Sequence, residues 1–289
     1  MPSYEFMHRP GSVWERTKFE GKTLPEIRTE MEQLAIDGVR AYDDVTWAPG
    51  TCGNIAGKWI TPAVPSEKIL YYVHGGGFTL GSSAIPLPFL LEMSHRLGIA
   101  CFSADYRLAP EHTFPAAPDD AFAGYKALLE LGYAPENIVL CGESAGATLA
   151  LDIPLMAKAA GIRVPAGVIA MSPVTDAVTV EAGTVLEGLD SSDQIMDVYA
   201  PGHDKADPLI SPALGNLDGF PPTFLSVGGT EILLKDSLIF ARNAAKAGCE
   251  VRLHVGKDMI HTYPLDLWDY PEAMAAFDEM ELFIRQILR

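Results

Sequence analysis

The chain has 289 residues, 48% of them hydrophobic, and a formal net charge of −17. A charge this negative argues against nucleic acid or an anionic membrane surface as a partner. The length suits one large α/β domain, and the absence of a signal-peptide pattern and of a run approaching about 18 apolar residues predicts a cytoplasmic protein with no membrane partner.

The first 40 residues favour a helical segment. Thr23-Leu24-Pro25-Glu26 has the pattern of a capping box, and Leu24, Ile27, Met31 and Leu34 fall on one face of the helix that would follow. We interpret this segment as a lid and not as a disordered tail.

Apolar runs alternate with longer helical stretches through the rest of the chain, which is the pattern of a largely parallel sheet. The predicted strands cover residues 69–73, 99–103, 138–141, 167–171 and 224–227.

Three glycines follow the first predicted strand, in His74-Gly75-Gly76-Gly77-Phe78. A glycine run can form a flexible loop or a phosphate cradle, but no GKS or GKT follows, which disfavours a P-loop. Glycines also leave backbone N–H groups accessible to the negative charge that develops on a carbonyl oxygen during acyl transfer. We therefore predict oxyanion donors at Gly76 and Gly77.

The sequence Gly142-Glu143-Ser144-Ala145-Gly146 stands between an apolar strand and a helix-compatible stretch. Glycines at both ends of GxSxG permit a tight, strained turn that projects the serine oxygen into an open site. A turn that happens to contain a serine is the alternative, but the upstream glycine run favours a nucleophile elbow. Ser144 is the candidate nucleophile, and the Ala145 N–H, at a helix N-terminus, is the third candidate oxyanion donor.

Two carboxylates follow the strand at 224–227 and compete for the role of orienting acid. Glu231 lies close to the strand end. Asp236 stands at the start of an amphipathic stretch, where an N-terminal helix cap is the better interpretation. Glu231 is therefore the favoured acid, which would hold a catalytic imidazole in the right tautomer.

A serine nucleophile needs a base, and three histidines follow Ser144 in the chain. His203 lies in a Pro/Gly/Asp-rich segment typical of a surface loop, and His254 lies in an alternating strand pattern. His261 lies in a loop after the last strand, where open α/β sheets bind ligands at the carboxyl ends of their strands. His261 is the candidate base.

Taken together, these motifs resemble those of the hormone-sensitive-lipase-like family of α/β-hydrolase carboxylesterases. The likeness rests on the HGGGF-type oxyanion motif, the G-acid-SAG elbow and a YRLAPEH-type segment at 106–112, and it covers roughly residues 65–289. By position it implies Ser144, His261 and Glu231 as the triad. Most members have aspartate where this chain has Glu231 and where it has Glu143.

The resemblance implies an α/β-hydrolase fold, with a mostly parallel central sheet flanked by helices and a small helical cap. The cap would comprise residues 1–40 and an insertion at roughly 177–206, and the catalytic domain would comprise residues 41–289. The implied activity is that of a serine carboxylester hydrolase, which acts on short-chain acyl esters through an acyl-enzyme intermediate. The alternatives are a lactonase or amidase with the same triad, or a non-catalytic relative that binds small ligands.

A small-molecule ester is thus the expected partner. Four cysteines and seven histidines show no metal-ligand spacing, so we expect no metal and no organic cofactor. The amphipathic C-terminal stretch, 271–288, would cover either the sheet or an equal partner, which leaves a homo-oligomer open.

Overall fold

The computed structural model describes residues 2–179 and 192–288. Within these ranges the chain forms one 8-stranded sheet. Its strands are β1 (Val45–Cys52), β2 (Ile55–Pro62), β3 (Ile69–Val73), β4 (Ala100–Ala104), β5 (Ile138–Glu143), β6 (Gly167–Met171), β7 (Thr223–Gly228) and β8 (Val251–Gly256).

The strand order is β1-β2-β4-β3-β5-β6-β7-β8. β1 and β2 pair antiparallel, as do β2 and β4, whereas the strands β3 to β8 all pair parallel with one another. The predicted parallel strands are confirmed to within two residues at each end. The β1–β2 hairpin was not predicted.

Helices connect and cover these strands. They are α1 (Tyr4–Met7), α2 (Val13–Arg16), α3 (Leu24–Asp37), α4 (Leu87–Leu97), α5 (Ala116–Glu130), α6 (Ala145–Ala159), α7 (Ser192–Tyr199), α8 (Leu234–Lys246) and α9 (Pro271–Ile287). In the part of the chain that the structure describes, no helix combines the length and the apolar character that a membrane span requires.

Every residue of β3 and β5 is buried, because helices cover both faces of the sheet. Successive side chains of a strand point to opposite faces. Tyr71 accordingly packs in the core layer that includes α5, α6 and α8, while Leu70 and Tyr72 pack in the layer that includes α4 and α9.

The N-terminal helix α3 begins as predicted, with the Glu26 carboxylate accepting the Thr23 N–H at 2.8 Å. Its predicted apolar face is also confirmed, since Ile27 and Met31 are buried. Because β3, β5, β7 and β8 run in parallel, the segments that follow them all emerge at the same edge of the sheet. This edge holds the candidate site.

Candidate active site

Ser144 occupies a strained turn between β5 and α6. Its backbone has φ 52° and ψ −124°, a conformation that costs free energy in any residue other than glycine. Glycines flank it for a steric reason: a Cβ at Gly142 would overlap the Gly146 carbonyl, and a Cβ at Gly146 would overlap the carbonyls of Val73 and His74. The turn thus packs against the end of β3 at a distance that only glycine permits.

Hydrogen bonds to its carbonyl groups orient the glycine loop after β3. His74 Nδ1 lies 2.7 Å from the Gly75 carbonyl oxygen, which can only accept, so Nδ1 carries the hydrogen. The Gly76 carbonyl accepts the N–H groups of Thr79 and Leu80, at 3.1 and 2.9 Å. In a planar trans peptide the C=O and N–H point in opposite directions. These bonds therefore direct the N–H groups of Gly76 and Gly77 away from the loop's own interior.

The three predicted oxyanion donors are available for a ligand. Among the described residues, no hydrogen bond engages the N–H of Gly76, Gly77 or Ala145. Ala145 is the first residue of α6, where the helix dipole adds partial positive charge. Such a cluster of N–H groups suits a developing oxyanion.

His261 and Glu231 form a close pair. His261 Nδ1 lies 2.5 Å from Glu231 Oε2, and only 3% of the glutamate side chain is exposed. Because a carboxylate accepts, Nδ1 donates, and the neutral ring keeps a free lone pair at Nε2. Within the described part of the chain no hydrogen bond joins the Ser144 hydroxyl to His261. Such bonds commonly tighten only when substrate binds.

Ser172 is a site residue that the sequence reasoning missed. Its hydroxyl donates to Glu231 Oε1 at 2.7 Å and accepts the Thr262 N–H at 3.1 Å, and the Gly228 N–H donates to the same carboxylate oxygen at 2.6 Å. Ser172 thus joins the acid to the loop that carries His261. Its position directly after β6, beside the end of β7, is the signal that could have identified it.

Asp236 does not cap a helix, so that prediction is wrong. It lies inside the first turn of α8, which begins at Leu234, and is 1% exposed. Its Oδ1 accepts the N–H groups of Thr175 and Asp176, both at 2.8 Å. The carboxylate therefore ties the segment after β6 to α8, and among the described residues no hydrogen bond or ion pair joins it to His261.

Glu143, beside the nucleophile, is a second buried carboxyl at the site. Its Oε1 accepts the Gly75 N–H at 2.7 Å, while Oε2 has no hydrogen-bond partner among the described residues. Burial raises the pKa of this carboxyl to about 7.

The segment 106–112 braces the glycine loop. The Tyr106 hydroxyl donates to the His74 carbonyl at 2.8 Å, and its ring stacks on the His74 ring with centroids 4.4 Å apart. The Ala109 N–H donates to the Phe78 carbonyl at 2.9 Å. Two carbonyls of the loop are thus held from outside it.

A cavity of about 740 Å³ joins these groups. Ser144, Glu231, His261 and the glycines 75–77 line it together. The apolar part of its wall includes Met31, Leu34 and Ala35 of α3 and Ile195 and Val198 of α7. This volume lies within the 300–1,000 Å³ typical of small-molecule sites.

Two other histidines, His203 and His254, follow Ser144 in the chain. His203 is exposed, and His254 lies on β8 and pairs with Glu279 at 2.8 Å, so neither belongs to the site. The described residues contain no group of three or more His, Cys, Asp or Glu placed to hold a metal ion.

Comparisons with known proteins agree with this geometry. A family model described as the alpha/beta hydrolase fold matches residues 70–265. An acetyl-hydrolase of Streptomyces hygroscopicus is 33% identical over an alignment of 269 positions, which covers 89% of this chain and 89% of that protein. An esterase of Acinetobacter venetianus is 31% identical over an alignment of 298 positions, which covers 94% of this chain and 97% of that protein. The crystal structure of an esterase from the bacterial hormone-sensitive lipase family superposes with a TM-score of 0.89, at 29% identity and 100% coverage of both chains.

Proposed function

This chain belongs to the alpha/beta hydrolase fold family and, within it, is a hormone-sensitive-lipase-like serine carboxylester hydrolase; from that premise we propose that Ser144, His261 and Glu231 are its catalytic triad. The observation that carries the proposal is one cavity bordered by a strained serine turn and by a histidine paired with a buried carboxylate at 2.5 Å. These are the parts that acyl transfer through a serine requires.

The reaction follows from the roles of the atoms. His261 Nε2 takes the proton of Ser144 as Oγ attacks the ester carbonyl, and Glu231 stabilises the imidazolium that results. The N–H groups of Gly76, Gly77 and Ala145 bind the oxyanion. The C–O bond to the alcohol then breaks, and the alcohol leaves with the proton from His261. Water, deprotonated by His261, attacks the acyl-enzyme and releases the acid.

Short-chain acyl esters are the proposed substrates. Support comes from the Streptomyces hygroscopicus relative, which is named an acetyl-hydrolase. The cavity of about 740 Å³ accommodates a small acyl group together with a larger alcohol portion. The cytoplasmic location, the lack of a nucleic-acid partner and a homo-oligomer stay predictions.

We also propose that residues 1–40 and the insertion at roughly 177–206 form a cap over the catalytic domain, 41–289. The support is that α3 and α7 contribute apolar wall to the same cavity from two separate segments of the chain. Residues 180–191 of this insertion lie outside the described residues.

Hydrolysis of p-nitrophenyl esters of increasing acyl length tests the activity and the nucleophile together. Wild-type protein should turn over the acetate and butyrate fastest, and Ser144→Ala should lower kcat about 10⁶-fold. Ser66→Ala, in the loop between β2 and β3, is the matched control and should retain full activity. A lactone and an anilide in the same panel test the alternative substrates. Undiminished turnover by Ser144→Ala would exclude Ser144 as nucleophile.

A further inference from the structure

Arg28 of helix α3 makes a four-bond contact with the segments that surround the oxyanion loop. Its Nε donates to the Thr79 carbonyl at 2.8 Å, and its Nη2 donates to the Ala109 carbonyl at 2.9 Å. Nη1 and Nη2 also each donate to one oxygen of Glu111 at 2.9 Å. One side chain thus joins the N-terminal helix to the end of the glycine loop and to the segment 106–112.

The Thr79 carbonyl belongs to the turn that orients an oxyanion donor. The N–H groups of Thr79 and Leu80 both donate to the Gly76 carbonyl. These bonds fix the orientation of the Gly76–Gly77 peptide, which also carries the Gly77 N–H. Thr79 therefore has its N–H bound within the turn and its carbonyl bound by Arg28. A shift of this residue changes the direction of the Gly77 N–H.

The ion pair is the weaker part of this contact. Side-chain exposure is 20% for Arg28 and 47% for Glu111, and an ion pair so open to solvent stabilises little. The bonds to the Thr79 and Ala109 carbonyls are part-buried. They use the planar fork of the guanidinium, whose geometry a lysine ammonium cannot reproduce.

We propose that Arg28 is a positioning residue for the oxyanion loop: it holds the Thr79 carbonyl and thereby keeps the Gly77 N–H directed at the oxyanion. The inference rests on the proposed function. Because the oxyanion forms only in the transition state, loss of Arg28 lowers kcat by the same factor for every ester.

A different role for Arg28 would give a different signature. The same helix lines the cavity with Met31, Leu34 and Ala35. In the alternative role, Arg28 would only hold helix α3 in place as a wall of the cavity. Loss of a wall contact would weaken substrate binding and raise KM, and the rise in KM would depend on the size of the ester.

The experiment compares four variants on p-nitrophenyl acetate, butyrate and octanoate. Arg28→Met removes every donor at similar length, Arg28→Lys keeps the charge, and Glu111→Gln removes the ion pair but leaves both carbonyl bonds. Lys22→Met is the matched control. It also removes a cation that pairs with a carboxylate, but that carboxylate is Glu30 of helix α3 itself. Far-UV circular dichroism and thermal melting establish that each variant is folded.

We expect Arg28→Met to lower kcat about tenfold on all three esters, below the 10²–10³ that complete loss of an oxyanion donor costs. Arg28→Lys should fall between it and the wild type, and Glu111→Gln and Lys22→Met should stay within about twofold of the wild type. Arg28→Lys keeps the test decisive if Arg28→Met does not fold. The proposal would be overturned if kcat of Arg28→Met were unchanged or if this variant differed from the wild type only in a higher KM. It would also be overturned if Glu111→Gln lowered kcat as much as Arg28→Met. Inactive wild-type protein, or an active Ser144→Ala, would refute the proposed function instead.

Discussion

The turn between β5 and α6 and the loop between β7 and α8 each deliver one functional group to the same cavity, and different forces hold them. In the turn, backbone packs directly on backbone, and the neighbouring chain at the end of β3 leaves no room for a Cβ at Gly142 or Gly146. In the loop, the Glu231 carboxylate depends on polar partners, namely the Ser172 hydroxyl, the Gly228 N–H and His261.

This difference predicts how each region responds to substitution. Steric exclusion is local and nearly all-or-none, because a side chain either fits or displaces the strand beside it. A set of hydrogen bonds is graded, since each partner can be removed singly and each contributes about 0.5–1.5 kcal/mol, or 1.5–3 kcal/mol when it involves a charge. Variants of the loop between β7 and α8 and of its hydrogen-bond partners should therefore form a graded series of activity losses.

The largest effect in that series should come from Glu231 itself. We expect Glu231→Ala to lower kcat about 10³–10⁴-fold, because the imidazole loses both its fixed tautomer and the charge that stabilises its protonated form. Steady-state kinetics on p-nitrophenyl acetate measure this loss, and thermal melting checks that the protein remains folded.

Asp236→Ala is the matched control for Glu231→Ala. It leaves the buried N–H groups of Thr175 and Asp176 unpaired, so we expect it to cost about 2–4 kcal/mol of unfolding free energy in urea. The folded fraction should keep a kcat within a few-fold of the wild type. If the activity loss occurred in Asp236→Ala and not in Glu231→Ala, Asp236 would be the acid.

Ser172→Ala should have an intermediate effect. The serine holds Glu231 on one side and the Thr262 N–H on the other, so its loss loosens the acid and the base loop together. We expect kcat to fall about 5–30-fold, which corresponds to roughly 1–2 kcal/mol. Ser226→Ala, on β7, serves as control because its hydroxyl makes no hydrogen bond to Glu231 or His261 among the described residues. Equal activity in the two variants would exclude a positioning role for Ser172.

The two regions also differ in how well the sequence predicts them. The spacing of Gly142, Ser144 and Gly146 reflects a local steric need, so a short pattern is sufficient to identify the turn. The partners of Asp236 lie 61 and 60 residues earlier in the chain, and no local pattern indicates them. Ser172 was missed for the same reason, being 59 residues from Glu231.

The strands of the sheet also divide into those that a local sequence pattern predicts and those that depend on distant partners. The buried parallel strands are continuous apolar runs, which periodicity detects. The β1–β2 hairpin has mixed burial, and β1 includes Pro49 and Gly50, residues that are uncommon in strands. Pairing with a neighbour, and not local sequence preference, holds these residues extended.

Glu143 and Glu231 offer the finest comparison, because both are glutamates with buried side chains at the candidate site. Both oxygens of Glu231 have partners, whereas Glu143 has a partner for only one, and burial raises its pKa from the ordinary 4.5 to about 7. Between these two values the folded state binds more protons at Glu143 than the unfolded state does. The carboxyl therefore reduces stability as the pH rises from about 4.5 to about 7, and the loss is constant above that range.

We expect Glu143→Gln to remove this dependence while its side-chain oxygen still accepts the Gly75 N–H. The unfolding free energy of the variant relative to wild type should increase by about 2–3 kcal/mol across that pH range and then level off. Urea unfolding of both proteins at intervals from pH 5 to pH 8 measures the difference, in which the other titrating groups cancel. Parallel curves would mean that the Glu143 carboxyl ionises as readily in the folded protein as in the unfolded chain. A relative gain that appeared only above pH 7 would assign the titration to another group.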